Sequence, residues 1–204
     1  METRELASLL WGSYLCLSSR PSASVFGHNV GAAFRAALEP HLRLPISTQV
    51  QDGQVAFASP AALYYPDSGQ AADVYWRAGH TLILQSLHAR LGALNSICAE
   101  LQARSGLRLS CSAYIAPPQA MSFSLHTDAW DALIVQVSGD KIFECSVCAD
   151  GLTAEGETRG PLESYALRSG DALLLPEGIP HRARTATGSV HLSFNFIRQL
   201  AAAP

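Results

Sequence analysis

At 204 residues the chain is long enough for one well-buried domain and short for two. Its 14 Lys and Arg against 17 Asp and Glu, with no block of like charge, exclude the strongly basic surface that nucleic acid or an anionic membrane calls for. The apolar runs, such as 132–135 and 173–175, are too short to span a bilayer, and residues 1–20 carry acidic residues in place of a basic leader, so a soluble, unprocessed, cytoplasmic protein is expected.

Residues 1 to about 75 mix helical-looking stretches with loops rich in Ser, Pro and Gly, and carry no motif with an assignable chemistry. Between Thr81 and Arg104, Leu84, Leu87, Leu91, Leu94, Cys98 and Leu101 recur at three- and four-residue steps, which predicts one amphipathic helix closed by Gly106. From Leu107 the pattern changes to short alternating or wholly apolar runs, predicting strands at 107–116, 123–128, 132–138, 141–147, 163–167, 171–175, 181–186 and 189–197. Ser138-Gly139-Asp140 reads as a hairpin turn pairing 132–138 with the strand that starts at Lys141. No repeat, low-complexity segment or linker divides the chain. The expected fold is mainly β, a jelly roll over 107–197 with a helical and irregular part, 1–106, packed on it.

Five cysteines, an odd number, do not make a disulfide scaffold, and reduced thiols are expected. Cys145 and Cys148 form one CxxC. With no second pair to complete four zinc ligands, and with no helix following it, the pair reads as two thiols at a strand end.

The chemistry concentrates in two places. His126 and Asp128 stand two apart on a predicted strand, which puts both side chains on one face. Gly170, Pro176, Gly178 and His181 follow the spacing of the second cupin motif: a buried strand, a tight Pro-Glu-Gly turn, and a histidine returned toward the interior. Two imidazoles and one carboxylate on one side of an ion leave positions open for a chelating oxo acid and dioxygen, the arrangement favoured by non-haem Fe(II) oxygenases. A closed four-ligand zinc site would not permit this.

Tyr114, Pro117, Phe123, His126, Asp128, Asp131, Gln136, Gly139, Lys141 and Phe143 together resemble the JmjC-type cupins of the ribosomal-oxygenase subgroup, over a stretch from about Leu42, through Gly79-His80-Thr81-Leu82, to Phe196. The resemblance implies a double-stranded β-helix, Fe(II), 2-oxoglutarate as cosubstrate, and hydroxylation of the β-carbon of a residue such as His or Arg in a polypeptide. It implies that Lys141 pairs with the distal carboxylate of 2-oxoglutarate. Ser112 and Tyr114 share one strand face, Ser193 and Asn195 another, and each pair is placed to complete hydrogen bonds to the cosubstrate. Ser112 stands where the family usually has Asn. His191, on the face of Ser193, reads as a core or supporting histidine and not as a ligand. Trp130 and Asp131 follow the ligand pair and are candidates for the substrate mouth.

Larger members of that subgroup carry a dimerising helical region and a winged-helix domain after the barrel, whereas this chain ends at Pro204. Thr127 stands where an aromatic is common, and Met121-Ser122 replaces the usual Gln-Gly. These departures point to a smaller target, a peptide or peptide-derived natural product or another small molecule, with dioxygen as co-reactant and no nucleic-acid or membrane partner. The oligomeric state is left open between monomer and homodimer. Two other readings compete: a metal-dependent cupin that oxidises or isomerises a small molecule without 2-oxoglutarate, and a non-catalytic cupin that binds or senses a ligand. Lys141 is the residue that separates the first reading from its rivals.

Overall fold

The computed structural model describes residues 3–18, 24–26, 55–58, 63–64, 69–147, 152–154 and 156–198. In chain order these form α1 (Thr3–Ser18), β1 (Ser24–Phe26), β2 (Val55–Ala58), β3 (Leu63–Tyr64), α2 (Gly69–Arg77), β4 (Thr81–Leu84), a short 3-10 turn (Leu87–Ala89) and α3 (Gly92–Ser105). The remaining strands are β5 (Arg108–Ala116), β6 (Asp131–Gly139), β7 (Lys141–Ser146), β8 (Leu162–Leu167), β9 (Ala172–Leu175), β10 (His181–Arg184) and β11 (Ser189–Ile197). Among the described residues no helix is long and apolar enough to cross a membrane.

Eight strands form one antiparallel sheet in the order β1-β9-β6-β11-β5-β4-β2-β3, and three form a second in the order β10-β7-β8. Side-chain alternation decides what each face of the large sheet meets. Leu133, Val135 and Val137 of β6, Leu109, Cys111 and Ala113 of β5, and Leu192, Phe194 and Phe196 of β11 point to one side, where they pack with Leu6 and Leu10 of α1 and with Leu94, Ile97 and Leu101 of α3. The opposite phase carries Ala132 and Ile134 of β6 and Leu173 and Leu175 of β9, which pack with Phe143, Cys145, Leu167 and Ala183 of the small sheet. Helices therefore cover one face and the small sheet covers the other. The architecture is the expected double-stranded β-helix, or jelly roll.

Four expectations need correcting. The helix over 81–104 is interrupted: Thr81–Leu84 is β4, paired with β2 and β5, and only Gly92–Ser105 is helical, closed by Gly106 in the left-handed region at φ 69°. Leu82, Ile83 and Leu84 are all buried, as a strand inside a sheet requires and one face of an amphipathic helix does not allow. Beyond β4, Ser86 turns the chain at φ 48° and the His88 ring accepts the Cys111 N–H at 3.1 Å, so a side chain ends the ladder that the strand began.

The second correction concerns the part expected over 1–106 to be helical and irregular: its described strands join the large sheet, β1 at the β9 edge and β2, β3 and β4 at the β5 edge. Third, the turn at Gly139 is not a hairpin. β6 pairs with β9 and β11, whereas β7 pairs with β8 and β10, so this turn carries the chain from one sheet to the other.

The fourth concerns 123–128, which does not form a strand. It touches β10 at isolated points: Ser122 N–H donates to the Ala183 carbonyl at 3.2 Å, and His126 and His181 exchange backbone bonds at 3.0 and 2.8 Å. Between these contacts Phe123, Ser124 and Leu125 lie opposite Arg182 alone, and two surplus residues cannot join a ladder.

Candidate metal centre and its cavity

Backbone bonds hold the three candidate ligands together. The exchange between His126 and His181 fixes the start of β10 against the 122–126 bulge, and the Asp128 carbonyl accepts the Gly178 N–H at 2.9 Å. Gly178 takes φ 79° in the Pro176-Glu177-Gly178 turn, a conformation in which a Cβ is strained. Pro176 and Ile179 close the turn with a carbonyl-to-N–H bond of 3.2 Å, and the chain re-enters the fold at His181, which is buried. The Gly-Pro-Gly-His spacing thus delivers its histidine as read. The HxD pair reaches the same place by a bulge and not by strand alternation.

His126 Nδ1 lies 2.9 Å from the Ser124 carbonyl and His181 Nδ1 lies 2.9 Å from the Ile179 carbonyl. A carbonyl can only accept, so both Nδ1 atoms donate, and in the neutral ring that a metal requires each Nε2 keeps the lone pair. Those lone-pair nitrogens face Asp128, at 4.0 Å from its Oδ1 for His126 and 3.7 Å from its Oδ2 for His181, and one ligand atom from each residue lies within 4.8 Å of the others. Burial, and then the neighbouring His126, push His181 below its usual pKa, opposed by Asp128. The donor set of two neutral imidazoles and a carboxylate, oriented by carbonyls behind them, fits a divalent metal.

The triad borders a cavity of about 480 Å³ that also takes in Tyr114, Trp130, Lys141, His191, Ser193 and Asn195. Lys141 is 1% exposed at its floor. Its Nζ lies 3.3 Å from His191 Nδ1 and 5.9 Å from the Phe143 ring centroid, and no carboxylate reaches it among the described residues. Burial without a counter-ion pulls the Lys141 pKa down to about 7. Burial, reinforced by Asp128, holds the Tyr114 phenol well above its usual range.

The JmjC domain family matches residues 87–203. The chain belongs to the JmjC family. Among relatives of this JmjC chain, the bifunctional lysine-specific demethylase and histidyl-hydroxylase NO66 of Drosophila persimilis is 25% identical over 161 residues, covering 74% of the chain and 23% of that protein. Ribosomal oxygenase 1 of Bos taurus is 26% identical over 137 residues, covering 61% and 20%. The ribosomal oxygenase YcfD from Escherichia coli, in its structure with cobalt and 2-oxoglutarate, superposes with a TM-score of 0.64 at 15% identity, covering 94% of the chain and 52% of YcfD. The chain thus spans about half of YcfD and smaller shares of these curated relatives.

Of the residues singled out in this JmjC chain, His126, Asp128, His181, Lys141, Tyr114, Ser112, Ser193, Asn195 and Trp130 all border the one cavity. Asp131 does not. It begins β6 in the phase that faces the helices, where its carboxylate accepts from Tyr14 at 3.0 Å, from the Glu177 N–H at 2.8 Å and from Arg198 at 3.3 Å. Asp131 ties α1, the motif turn and the segment after β11 together, and contrary to expectation it does not line the cavity. Ser193 donates to Asn195 at 2.7 Å, and Ser112 accepts the Ser86 N–H at 3.3 Å, so these groups are partly spent within the protein. Cys145 is buried in the core between the sheets, where burial raises its pKa to about 12; Cys148 lies outside the described residues. Phe123, one of the residues that carry the family resemblance, also lines the cavity, as do Ile83 and Ser124, which no sequence motif marks. Ile83 reaches the cavity from β4, beside Tyr114 of β5, and Ser124 from the bulge, and neither placement follows from an alternation pattern.

Proposed function

We propose that this chain is an Fe(II)- and 2-oxoglutarate-dependent oxygenase that hydroxylates a side-chain carbon of a peptide or peptide-derived compound. One observation carries the reading: a three-ligand donor set and a buried lysine with no carboxylate partner among the described residues open onto the same cavity. His126, Asp128 and His181 would hold the iron. Lys141 would take the distal carboxylate of 2-oxoglutarate, because a buried ammonium without an anion is costly and a dicarboxylate repairs it. Bound together, iron and 2-oxoglutarate supply the oxidation of a C–H bond by dioxygen, with the oxo acid leaving as succinate and carbon dioxide. Ile134, Phe143 and Leu175 line the same cavity and keep water from the reacting centre. Tyr114 stays protonated and acts as a donor. The lysine distinguishes this reading from a cupin that works without an oxo acid, and the JmjC relationship argues against a purely sensory role.

Trp130 offers an aromatic wall to the substrate. With Asp131 turned away, Asp128 is the only carboxylate lining the cavity among the described residues, and it belongs to the donor set. A guanidinium would find no free counter-ion there, so a histidine side chain is the first target to try, in keeping with the histidyl-hydroxylase name of the NO66 relatives. The test is succinate formation with Fe(II), 2-oxoglutarate and ascorbate, with His181→Ala as the control, followed by mass spectrometry of His- and Arg-containing peptides beside the free amino acids. Succinate that depends on His181 and a gain of one oxygen on a peptide are expected. Equal succinate from His181→Ala would overturn the oxygenase reading, and oxygen gained only by free amino acids would overturn the peptide.

A further inference from the structure

Lys141 is fixed by a histidine that neither the motif spacing nor the metal set calls for. His191 is 4% exposed, on the inward phase of β11, and borders the cavity. Its ring lies flat on Tyr114, with centroids 4.7 Å apart and planes 6° apart, and meets Phe143 at 5.7 Å and 72°. Two aromatic neighbours therefore set both its plane and its rotation. Nδ1 is 3.3 Å from Lys141 Nζ, its only hydrogen bond among the described residues. In its ammonium form, the form that pairs with an anion, Lys141 has donors and no acceptor, so Nδ1 presents the lone pair to it and a neutral imidazole then carries its proton on Nε2. The ring is neutral because burial, and after it the Lys141 charge, hold it well below its usual pKa. That leaves an N–H donor, with a fixed direction and no protein acceptor among the described residues, beside the cation that awaits an anion.

We propose that His191 is a second binding residue for the distal carboxylate of a 2-oxo dicarboxylate, its Nε2–H donating to one oxygen while the Lys141 ammonium pairs with the other. The assignment rests on the cosubstrate reading of the cavity. Lys141 supplies charge and His191 supplies direction: a lysine alone is a flexible point charge that accepts a carboxylate in many orientations, whereas two donors on rigid strands accept one. The Tyr114 stack is what makes the imidazole rigid, so the pair selects an oxo acid whose second carboxylate reaches the floor.

The test compares 2-oxoglutarate with 2-oxopentanoate, which has the same chain length and no distal carboxylate, by calorimetric titration of the zinc-loaded protein. His191→Phe keeps the stack and removes both nitrogens. It should weaken 2-oxoglutarate by about ten- to a hundred-fold, the range for losing a hydrogen bond to a charged group, and leave 2-oxopentanoate nearly unchanged. Equal weakening of both ligands, or of neither, overturns the assignment. Lys141→Met separates the two layers of the argument: if it leaves the preference for the dicarboxylate intact, the cosubstrate reading itself fails. If His191→Phe does not fold, the wild-type protein labelled with ¹⁵N at histidine decides. Nε2 should be the protonated nitrogen, and its signal should move with 2-oxoglutarate but not with 2-oxopentanoate; an Nδ1–H tautomer, or an unmoved signal, overturns the proposal.

Discussion

Both candidate imidazole ligands spend their Nδ1 proton on a carbonyl two residues back, Ser124 for His126 and Ile179 for His181. The geometry behind each ring therefore comes from its own chain segment, and removing one ring leaves the other correctly aimed. His126→Ala, Asp128→Ala and His181→Ala should each abolish stoichiometric iron binding, measured by metal analysis, while circular dichroism and thermal midpoint stay near wild type, because these side chains line a cavity. A variant that keeps its iron and its turnover would remove that residue from the ligand set. Asp131 carries the opposite expectation. Asp131→Ala leaves the Tyr14 hydroxyl and the Glu177 N–H without their acceptor, at about 1–3 kcal/mol for a buried group left unsatisfied, so the thermal midpoint should fall while dicarboxylate affinity holds. Unchanged stability together with altered peptide selectivity would return Asp131 to the substrate mouth.

Among the elements, the link from β6 to β7 matters most, because it sets where Lys141 starts. Gly139 sits at φ 67°, and a Cβ there would run into the Gly188 carbonyl oxygen, so the turn closes only around a glycine. Gln136 Nε2 donates to the Ser138 and Gly139 carbonyls at 2.8 and 3.2 Å, and the Thr185 hydroxyl donates to the Asp140 carbonyl at 2.7 Å. Gly139→Ala should destabilise the protein by at least about 1–3 kcal/mol, the usual cost of a forced backbone, and should weaken 2-oxoglutarate more than metal. Chemical denaturation and parallel titrations of the two ligands would measure it; equal losses of both would mean that the turn supports the whole site and not the anchor. The glycine was readable as a turn. Its partner Gly188, far along the chain, was not, and neither was the switch of sheets, since two strands joined by a short turn are usually neighbours and here the close approach of β11 keeps them apart.

For the whole molecule, a lysine folded into the interior makes stability and ligand binding depend on pH. Burial holds the Lys141 pKa at about 7, well below the 10.5 of the ordinary group. Below about pH 7 both folded and unfolded chains carry the proton and the burial cost is complete; between about 7 and 10.5 the unfolded chain binds more protons than the folded one, so this group's contribution to stability rises with pH. A dicarboxylate needs the ammonium, so the rise in thermal midpoint caused by 2-oxoglutarate should shrink as pH goes from about 6 to about 9, while Lys141→Met should show a small rise at every pH. A shift in the wild type that does not vary with pH would show that Lys141 keeps its charge without the anion. The buried thiols and Tyr114 titrate above that window, and His191 below it.

The sequence by itself determined the short-range features: the strands from β5 onward apart from the 122–126 bulge, the helix end at Gly106, the Gly-Pro-Gly-His turn, and the inward phase of Ser112, Tyr114, Ser193 and Asn195. Each depends on local propensity, on turn stereochemistry, or on the two-residue period of a strand, and all of these are written in adjacent residues. Only the tertiary structure decided that Thr81–Leu84 is a strand, because an edge to pair with, offered by β2 and β5, outweighs a helical spacing of leucines. Only it decided that Asp131 faces the helices and that His126 meets His181 through a bulge. It alone placed His191 on Lys141, since these residues stand fifty positions apart and meet because β11 runs beside β6 while β7 crosses to the facing sheet. Contacts between sheets follow from how the chain closes on itself, and a linear pattern of side chains holds no term for that closure.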